Sequence, residues 1–118
     1  MQVERVDFIN IATQDAERSR AWYRDVLGLS QDPNNPAELK AGQVTLSFWE
    51  PEKEGIEFTP SIGGFAVRVP DVEAARKDLE AKGVEFVGSG DTGVCRMAVC
   101  LDPDGNALIL HRRYKPYE

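Results

Sequence analysis

The chain has 118 residues, 29% of them charged, and a formal net charge of −6. This length suffices for one domain, or two small fused units, with a buried core. The acidic balance argues against a nucleic-acid partner, because phosphate binding needs a basic footprint, and no apolar run is long enough to span a membrane. Three basic residues near the C-terminus are interpreted as a solvated tail: Arg112, Arg113 and Lys115.

The start of the chain and its cysteines indicate the compartment. The segment "MQVERVDF" lacks the charged-then-apolar layout of a signal peptide. Cys95 and Cys100 form no CxxC motif, and their spacing of five places them on opposite faces of one strand. We therefore expect a cytoplasmic protein with two free thiols, structural rather than reactive.

The first half of the chain combines strand and helix patterns. Apolar and polar residues alternate over 3–13 and again over 43–49, which predicts two strands. Between them, Asp15 suits the N-cap of a helix over 15–29, with Gly28 as its stop. Two polar segments, rich in proline, asparagine or charge, are predicted as loops: 31–38 and 50–55.

The second half repeats this order. Alternation predicts a strand over 63–69, and Asp71 caps a helix that ends at Gly83. A short strand, a loop and two strands joined by the turn "DPDGN" are predicted to follow: 84–87, 88–93, 94–101 and 107–111.

A shift of 56 residues lays the two halves on each other. Ile9 then matches Phe65, and Asp15 matches Asp71. The repeat predicts an internal duplication of two small βαβββ modules, about residues 1–55 and 60–118, within one domain. Because a single short unit has a marginal core, we expect the two modules to pair into one larger structure.

Four stretches, in this order and spacing, carry a family resemblance: "DAERSRAWYRDVLGL" (15–29), "GGFAVRVPDVEAA" (63–75), "KGVEF" (82–86) and "DPDGNALIL" (102–110). They resemble the vicinal oxygen chelate superfamily, which groups glyoxalase I, extradiol dioxygenases, antibiotic-modifying thiol transferases and bleomycin-resistance proteins. The resemblance covers nearly the whole chain. It implies an α+β fold in which two tandem βαβββ modules form a curled mixed sheet around a cavity, usually in a dimer.

The resemblance also implies where a metal would bind. Metal-dependent members supply His, Glu or Gln side chains from four strand positions, which fall here on or near Phe8, Thr45, Gly64 and Ile109. Phenylalanine, glycine and isoleucine cannot coordinate a metal, and one threonine is a poor ligand. A displaced set of Asn10, Ser47 and His111 is also weak for a divalent ion. We therefore expect neither a metal nor another cofactor.

Alternation gives the predicted strands a mixed face opposite a uniformly apolar one. Apolar walls with sparse polar groups are typical of small-molecule pockets. Gly64 and Ala66 lie on this face and are expected to leave room for a ligand. The candidate ligand-binding residues on it are Phe8, Asn10, Thr45, Ser47, Trp49, Arg68, Val99, Ile109 and His111.

Four of these candidates also have a structural interpretation. Trp49 stacks on a ligand, or it covers a sheet edge or a dimer contact. Phe8 lines the pocket, or it packs as ordinary core. Arg68 binds an anionic ligand, or it pairs with a local acid. His111 contacts a ligand or transfers a proton, or it faces solvent.

Three functions remain open. The favoured one is a metal-free protein that sequesters a small, partly aromatic ligand between the modules, as bleomycin-resistance proteins do; the net negative charge would suit a cationic ligand. The second is a glyoxalase-like lyase or dioxygenase-type enzyme with a non-standard site, for which His111 is the only visible acid–base candidate. The third is a dimeric interaction module without a ligand. A homodimer is expected for the family fold.

Overall fold

The computed structural model describes residues 1–116. The chain divides into two compact units, Met1–Thr59 and Pro60–Glu118, and the second is described as far as residue 116. Each unit contains one four-stranded mixed sheet and one α-helix. Both follow the order strand, helix, then three strands. The predicted α+β class and the tandem βαβββ modules are therefore confirmed.

Unit 1, Met1–Thr59, forms its sheet in the order β1-β4-β3-β2. Its elements are β1 (Phe8–Ala12), α1 (Ala16–Asp25), β2 (Ser30–Asp32), β3 (Asn35–Ala41), β4 (Val44–Trp49) and a short 3₁₀-helix (Pro51–Glu54). β1 and β4 run parallel, whereas the other neighbouring pairs are antiparallel. The helix α1 contacts β3 and β4.

Unit 2, Pro60–Glu118, repeats the arrangement with the sheet order β5-β8-β7-β6. Its elements are β5 (Phe65–Arg68), α2 (Val72–Ala81), β6 (Phe86–Asp91), β7 (Cys95–Leu101) and β8 (Ala107–Arg113). β5 and β8 run parallel, and β8, β7 and β6 are successively antiparallel. The helix α2 contacts β8 and β7.

Both helices start at the aspartates that the sequence singled out. The Asp15 side chain accepts a hydrogen bond from the Arg18 backbone N–H at 3.1 Å, and Asp71 does the same for Ala74 at 3.1 Å. Each cap satisfies a backbone donor that the first turn leaves open. Within residues 1–116, no helix is long and apolar enough to cross a membrane.

The helix ends agree only in part with the prediction. α2 ends at Ala81, and Gly83 directly follows the cap residue Lys82 with a φ of +86°. Such a left-handed position favours glycine, as predicted. α1 instead ends earlier, with Val26 as its cap, so Gly28 lies two residues beyond the cap.

Several predicted boundaries are wrong, and most errors fall on polar strands. The strand predicted over 3–13 is too long, because β1 spans only Phe8–Ala12 and residues 3–7 lie outside it. The predicted loops over 31–38 and 88–93 contain most of β2, the start of β3 and most of β6. The charged segment 50–55 contains the 3₁₀-helix.

These missed strands have a common physical cause. β2 and β6 are the outer strands of their sheets, so each is held by one neighbouring ladder only. Their side chains are mostly exposed, and their sequences therefore lack the apolar alternation that marks a half-buried strand. In the turn between β2 and β3, the Asp32 carboxylate accepts from the Asn34 N–H at 2.8 Å.

The core of each unit lies between its helix and its sheet. In unit 1, Tyr23 of α1 is fully buried with Leu39 and Leu46. In unit 2, the most deeply buried apolar residues come from the two central strands: Ala98, Cys100, Leu108 and Leu110. Burying a leucine side chain contributes about 1.5–3 kcal/mol, so these positions are the main source of stability.

Candidate functional site

Each sheet has one face under its helix and one face that we call the helix-free face. In unit 1 the helix-free face presents Phe8, Asn10, Lys40, Thr45, Ser47 and Trp49. In unit 2 it presents Ala66, Arg68, Met97, Val99, Ile109, His111 and Arg113. Every candidate from the sequence therefore lies on the helix-free face of its own unit. Their ligand-binding role stays a prediction, as does a cavity between the modules.

Strand register brings the unit 1 candidates together in pairs. Phe8 lies opposite Thr45, and Asn10 lies opposite Ser47, whose hydroxyl donates to the Asn10 side-chain oxygen at 3.1 Å. The Phe8 side chain is 54% exposed, so it does not pack as a core residue. The face therefore combines an accessible aromatic ring with an ordered polar pair.

Lys40 is a member of this face that the sequence did not reveal. Its ammonium group donates to the Thr45 hydroxyl at 2.7 Å and lies 3.8 Å from the Asp32 carboxylate. The residue was missed because much of β3 was assigned to a loop. A correct strand boundary, with Lys40 opposite Thr45, would have found it.

Trp49 is the last residue of β4. Its indole N–H donates to the carboxylate of Glu54, which lies in the following 3₁₀-helix. The ring is half-buried, with its polar edge engaged. A tryptophan held in this way offers a large apolar surface at a small cost in rotamer freedom.

Glu50 ties the segment after β4 to the start of α1. Its carboxylate accepts from the Ala16 backbone N–H at 2.8 Å and lies 2.6 Å from the Lys53 ammonium. The Lys53 hydrogen bond, followed by that of Ala16, lowers the pKa of the Glu50 carboxyl below its usual range. These contacts fix the chain directly after Trp49.

In unit 2, the polar candidates cluster at one end of the sheet. Arg68 on β5 lies opposite His111 on β8, and His111 also lies opposite Met97 on β7. At the next position toward the start of β8, Ile109 lies between Ala66 and Val99. The face therefore passes from an apolar patch to a cationic end.

Residues 5–110 match the family model described as the Glyoxalase/Bleomycin resistance protein/Dioxygenase superfamily. The chain belongs to this superfamily. The resemblance on which the sequence prediction rested is thereby confirmed. Comparison with curated proteins gives no match.

Solved structures with the superfamily fold align over nearly the whole chain. The antibiotic-binding protein TnmS3 from Streptomyces sp. CB03234 is 22% identical, with a TM-score of 0.75 over 96% of this chain and 98% of that one. Lactoylglutathione lyase from Agrobacterium tumefaciens is 17% identical, with a TM-score of 0.77 over 94% and 95%. A superfamily member from Sphaerobacter thermophilus is 21% identical, with a TM-score of 0.74 over 92% and 97%. At these identities the likeness shows the fold alone.

The residues at the four implied ligand positions do not fit the metal of metal-dependent superfamily members. Phe8 and Ile109 carry no donor atom, and the Thr45 hydroxyl accepts the Lys40 hydrogen bond. Within residues 1–116, no group of three or more His, Cys, Asp or Glu side chains is placed to hold a metal ion.

Gly64 overturns one expectation about this site. We expected it to leave room for a ligand, but a Cβ atom there would lie 2.0 Å from the Ala107 carbonyl oxygen. The residue also precedes β5 and has a φ of +65°. The space beside Gly64 is therefore filled by backbone, and no ligating side chain fits at this position.

The aspartates of "DPDGN" belong to the turn between β7 and β8. Asp102 is buried, and its carboxylate accepts the backbone N–H groups of Asp104 and Asn106, each at 2.9 Å. The Asn106 amide donates to the same carboxylate at 3.0 Å and accepts from the Ser61 N–H at 2.8 Å. This network fixes the turn and ties it to the segment before β5, in agreement with the predicted turn chemistry.

The end of β8 corrects the interpretation of the C-terminal basic residues. The strand continues through Arg113, two residues beyond the predicted end at His111. Arg112 and Arg113 are only partly exposed, so they are strand residues and not a solvated tail. Arg113 shares the face of His111, and the period of two along a strand was the signal that could have found it.

Proposed function

We propose that this protein binds a small, partly aromatic molecule on its helix-free faces without a metal ion. The observation that carries the proposal is the helix-free face of unit 1, where an exposed Phe8 and a tethered Trp49 flank the Asn10–Ser47 hydrogen bond. Small-molecule sites combine apolar walls with a few fixed polar groups in this way.

The lost ligand positions support metal independence. Phe8, Gly64 and Ile109 supply no donor atom, and Gly64 has no space for a larger residue. The residues that replace a metal site therefore suit apolar contact with a ligand better than coordination.

The antibiotic-binding protein among the structural neighbours supports a binding role on this fold. We extend to this chain the idea of sequestering a small molecule, with the ligand on the faces defined above. The expected homodimer and the cytoplasmic location remain part of the same proposal.

An enzyme is the second candidate, and one observation favours it. His111 projects from the helix-free face of unit 2 beside Arg68, so an acid–base group and a cation share one surface. Lactoylglutathione lyase has the same fold. Turnover of a bound compound that is abolished by His111→Gln, with binding retained, would favour this candidate.

The test of the proposed function combines calorimetry with elemental analysis. We expect saturable binding of at least one planar aromatic compound from a panel, unchanged by EDTA, and no stoichiometric transition metal in the purified protein. About one Zn, Ni, Fe or Mn per chain would contradict metal independence. A stable dimer that binds no compound of the panel would favour the interaction module instead.

A further inference from the structure

We propose that unit 2 contains an anion-binding cleft that holds a carboxylate or phosphate group of the ligand. The cleft has a volume of about 390 Å³ and is lined by Arg68, His111, Arg113, Tyr114, Lys115 and Pro116. The inference deepens the proposed function and rests on it for the statement that this face contacts a ligand. The volume lies in the range of about 300–1,000 Å³ that is usual for small-molecule sites.

Strand register gathers the cationic side chains of the cleft. Arg68 on β5 lies opposite His111 on β8. Arg113 follows two residues later on β8 and therefore projects from the same face as His111. Two adjacent strands thus hold two guanidinium groups beside an imidazole.

The chain that follows β8 is also held in place. The backbone N–H groups of Tyr114 and Lys115 donate to the Val94 carbonyl oxygen at 2.9 Å and 3.3 Å. The Arg113 guanidinium donates to the Pro116 carbonyl oxygen at 3.1 Å. The third cation, Lys115, is therefore attached to a fixed backbone segment.

The charge of the cleft is opposite to that of the whole chain. Among residues 1–116, the lining of the cleft includes three cations and no carboxylate, although the chain has a net charge of −6. Within residues 1–116, neither Arg68 nor Lys115 forms an ion pair. An anionic group in the cleft would therefore meet two cations, Arg68 and Lys115, that are not neutralised by an acid of the described chain.

Asp91, an acid that contacts the cleft lining, is already engaged by Tyr114 and Arg96. Asp91 accepts the Tyr114 hydroxyl at 2.7 Å and lies 3.5 Å from the Arg96 guanidinium. The Tyr114 hydrogen bond is the main cause that lowers the pKa of Asp91. Arg68 and Lys115, which form no ion pair within residues 1–116, are therefore open to an external anion.

The chemistry of the side chains selects the class of ligand. A guanidinium presents parallel N–H donors that match the oxygens of a carboxylate or phosphate, and a lysine adds a mobile point charge. Bonds to a charged group are worth more than neutral ones, so we expect an anionic compound to bind at least about tenfold more tightly than its neutral analogue.

The experiment compares three ligands that share one aromatic ring: 1-naphthoate, 1-naphthyl phosphate and neutral 1-naphthamide. Calorimetry on the full chain should show tighter binding of one or both anions, and the preferred anion identifies the carboxylate or the phosphate as the natural group. Arg68→Gln and Lys115→Gln should each reduce this preference. Lys77→Gln, on the exposed side of α2, removes the same charge and should leave the preference unchanged. Using two exposed positions keeps the test valid if one variant fails to fold.

Failure of this inference is distinguishable from failure of the proposed function. Equal affinity for all three compounds, or a preference unchanged in both cleft variants, would overturn the anion-binding cleft and leave aromatic binding intact. If no aromatic compound binds, the proposed function fails, and inorganic phosphate decides the cleft alone. If phosphate shifts the amide NMR signals of Arg68 and His111, and the shift at His111 is lost in Arg68→Gln, the cleft is supported. If about 10 mM phosphate shifts neither signal in the wild type, the cleft is overturned.

Discussion

Gly64 lies against the backbone of Ala107, so closely that an added Cβ atom would be 2.0 Å from the Ala107 carbonyl oxygen. The backbone around this contact is held on both sides, since the Ala107 N–H donates to the Ser61 carbonyl at 2.8 Å and the Gly64 N–H donates to the Ser61 hydroxyl at 3.1 Å. The same contact leaves no space for a side chain at the position where metal-dependent relatives are expected to carry a metal ligand.

We predict that Gly64→Ala lowers the free energy of unfolding by at least about 2 kcal/mol, because it adds both a positive-φ penalty and a backbone clash. Gly63→Ala is the matched control, since nothing lies within 4 Å of a Cβ atom at Gly63. Urea denaturation of both variants measures the difference. Similar stabilities for the two variants would show that the contact does not constrain the chain.

The two helices and the hairpin that ends unit 2 could be predicted from local signals. Asp15 and Asp71 are N-caps, and the turn residues between β7 and β8 form the expected network. The side on which each strand presents its residues was also predictable, because a period of two is a property of any strand. The placement of Trp49 and His111 on helix-free faces follows from that period.

Other features depend on contacts that the sequence does not reveal. Polar outer strands such as β6 are stabilised by the neighbouring ladder and not by their own side chains. Lys40 and Arg113 lie on inner strands and were missed because strand pairing decides how far β3 and β8 extend. The closed space at Gly64 arises from Ala107, 43 positions later in the chain, and no local pattern encodes it.

Ser19 gives a prediction about stability in the core of unit 1. Its hydroxyl is buried on α1 and has no hydrogen-bond partner within residues 1–116. Ser19→Ala should raise the free energy of unfolding by about 0.5–1 kcal/mol, because it removes an unsatisfied polar group and improves helix propensity. Ser47→Ala, which removes a hydroxyl bonded to Asn10, should give no such gain. A loss of stability in Ser19→Ala would contradict this interpretation of the core.

Glu50 predicts how acid affects unit 1. Its pKa is lowered in the folded state by Lys53 and the Ala16 N–H, so its contribution to stability is present above the unfolded-state pKa and is lost as pH falls through the lower, folded-state pKa. The wild type should therefore lose more thermal stability than Glu50→Gln between about pH 5 and pH 3. Glu52→Gln, an exposed neighbour, should follow the wild type. An equal fall in melting temperature for the wild type and Glu50→Gln as the pH is lowered over this range would contradict the assigned contacts.

The two cysteines should differ in reactivity. Cys100 is buried, and burial, followed by the nearby Asp102 charge, raises the pKa of its thiol to about 11. Cys95 is partly exposed on the opposite side of β7. A thiol reagent at neutral pH should modify Cys95 first and Cys100 only on unfolding. The Cys95→Ser variant keeps only the Cys100 thiol. Its rapid modification in the folded state would contradict the prediction, because it would show that Cys100 is accessible.

The central claim is that an aromatic ligand binds on the face that Trp49 shares with Phe8, and tryptophan fluorescence tests it most directly. Trp22 and Trp49 are the two tryptophans of the chain, so Trp22→Phe leaves Trp49 as the sole reporter. Titration of this variant with neutral planar compounds, 1-naphthamide first, should give a saturable change in emission. Adding Glu54→Ala should weaken that binding, because the indole loses the carboxylate that orients it. The claim would be contradicted if no compound of the panel gave a saturable change in emission. It would also be contradicted if Trp49→Phe, which leaves Trp22 as the sole tryptophan, gave an equal change.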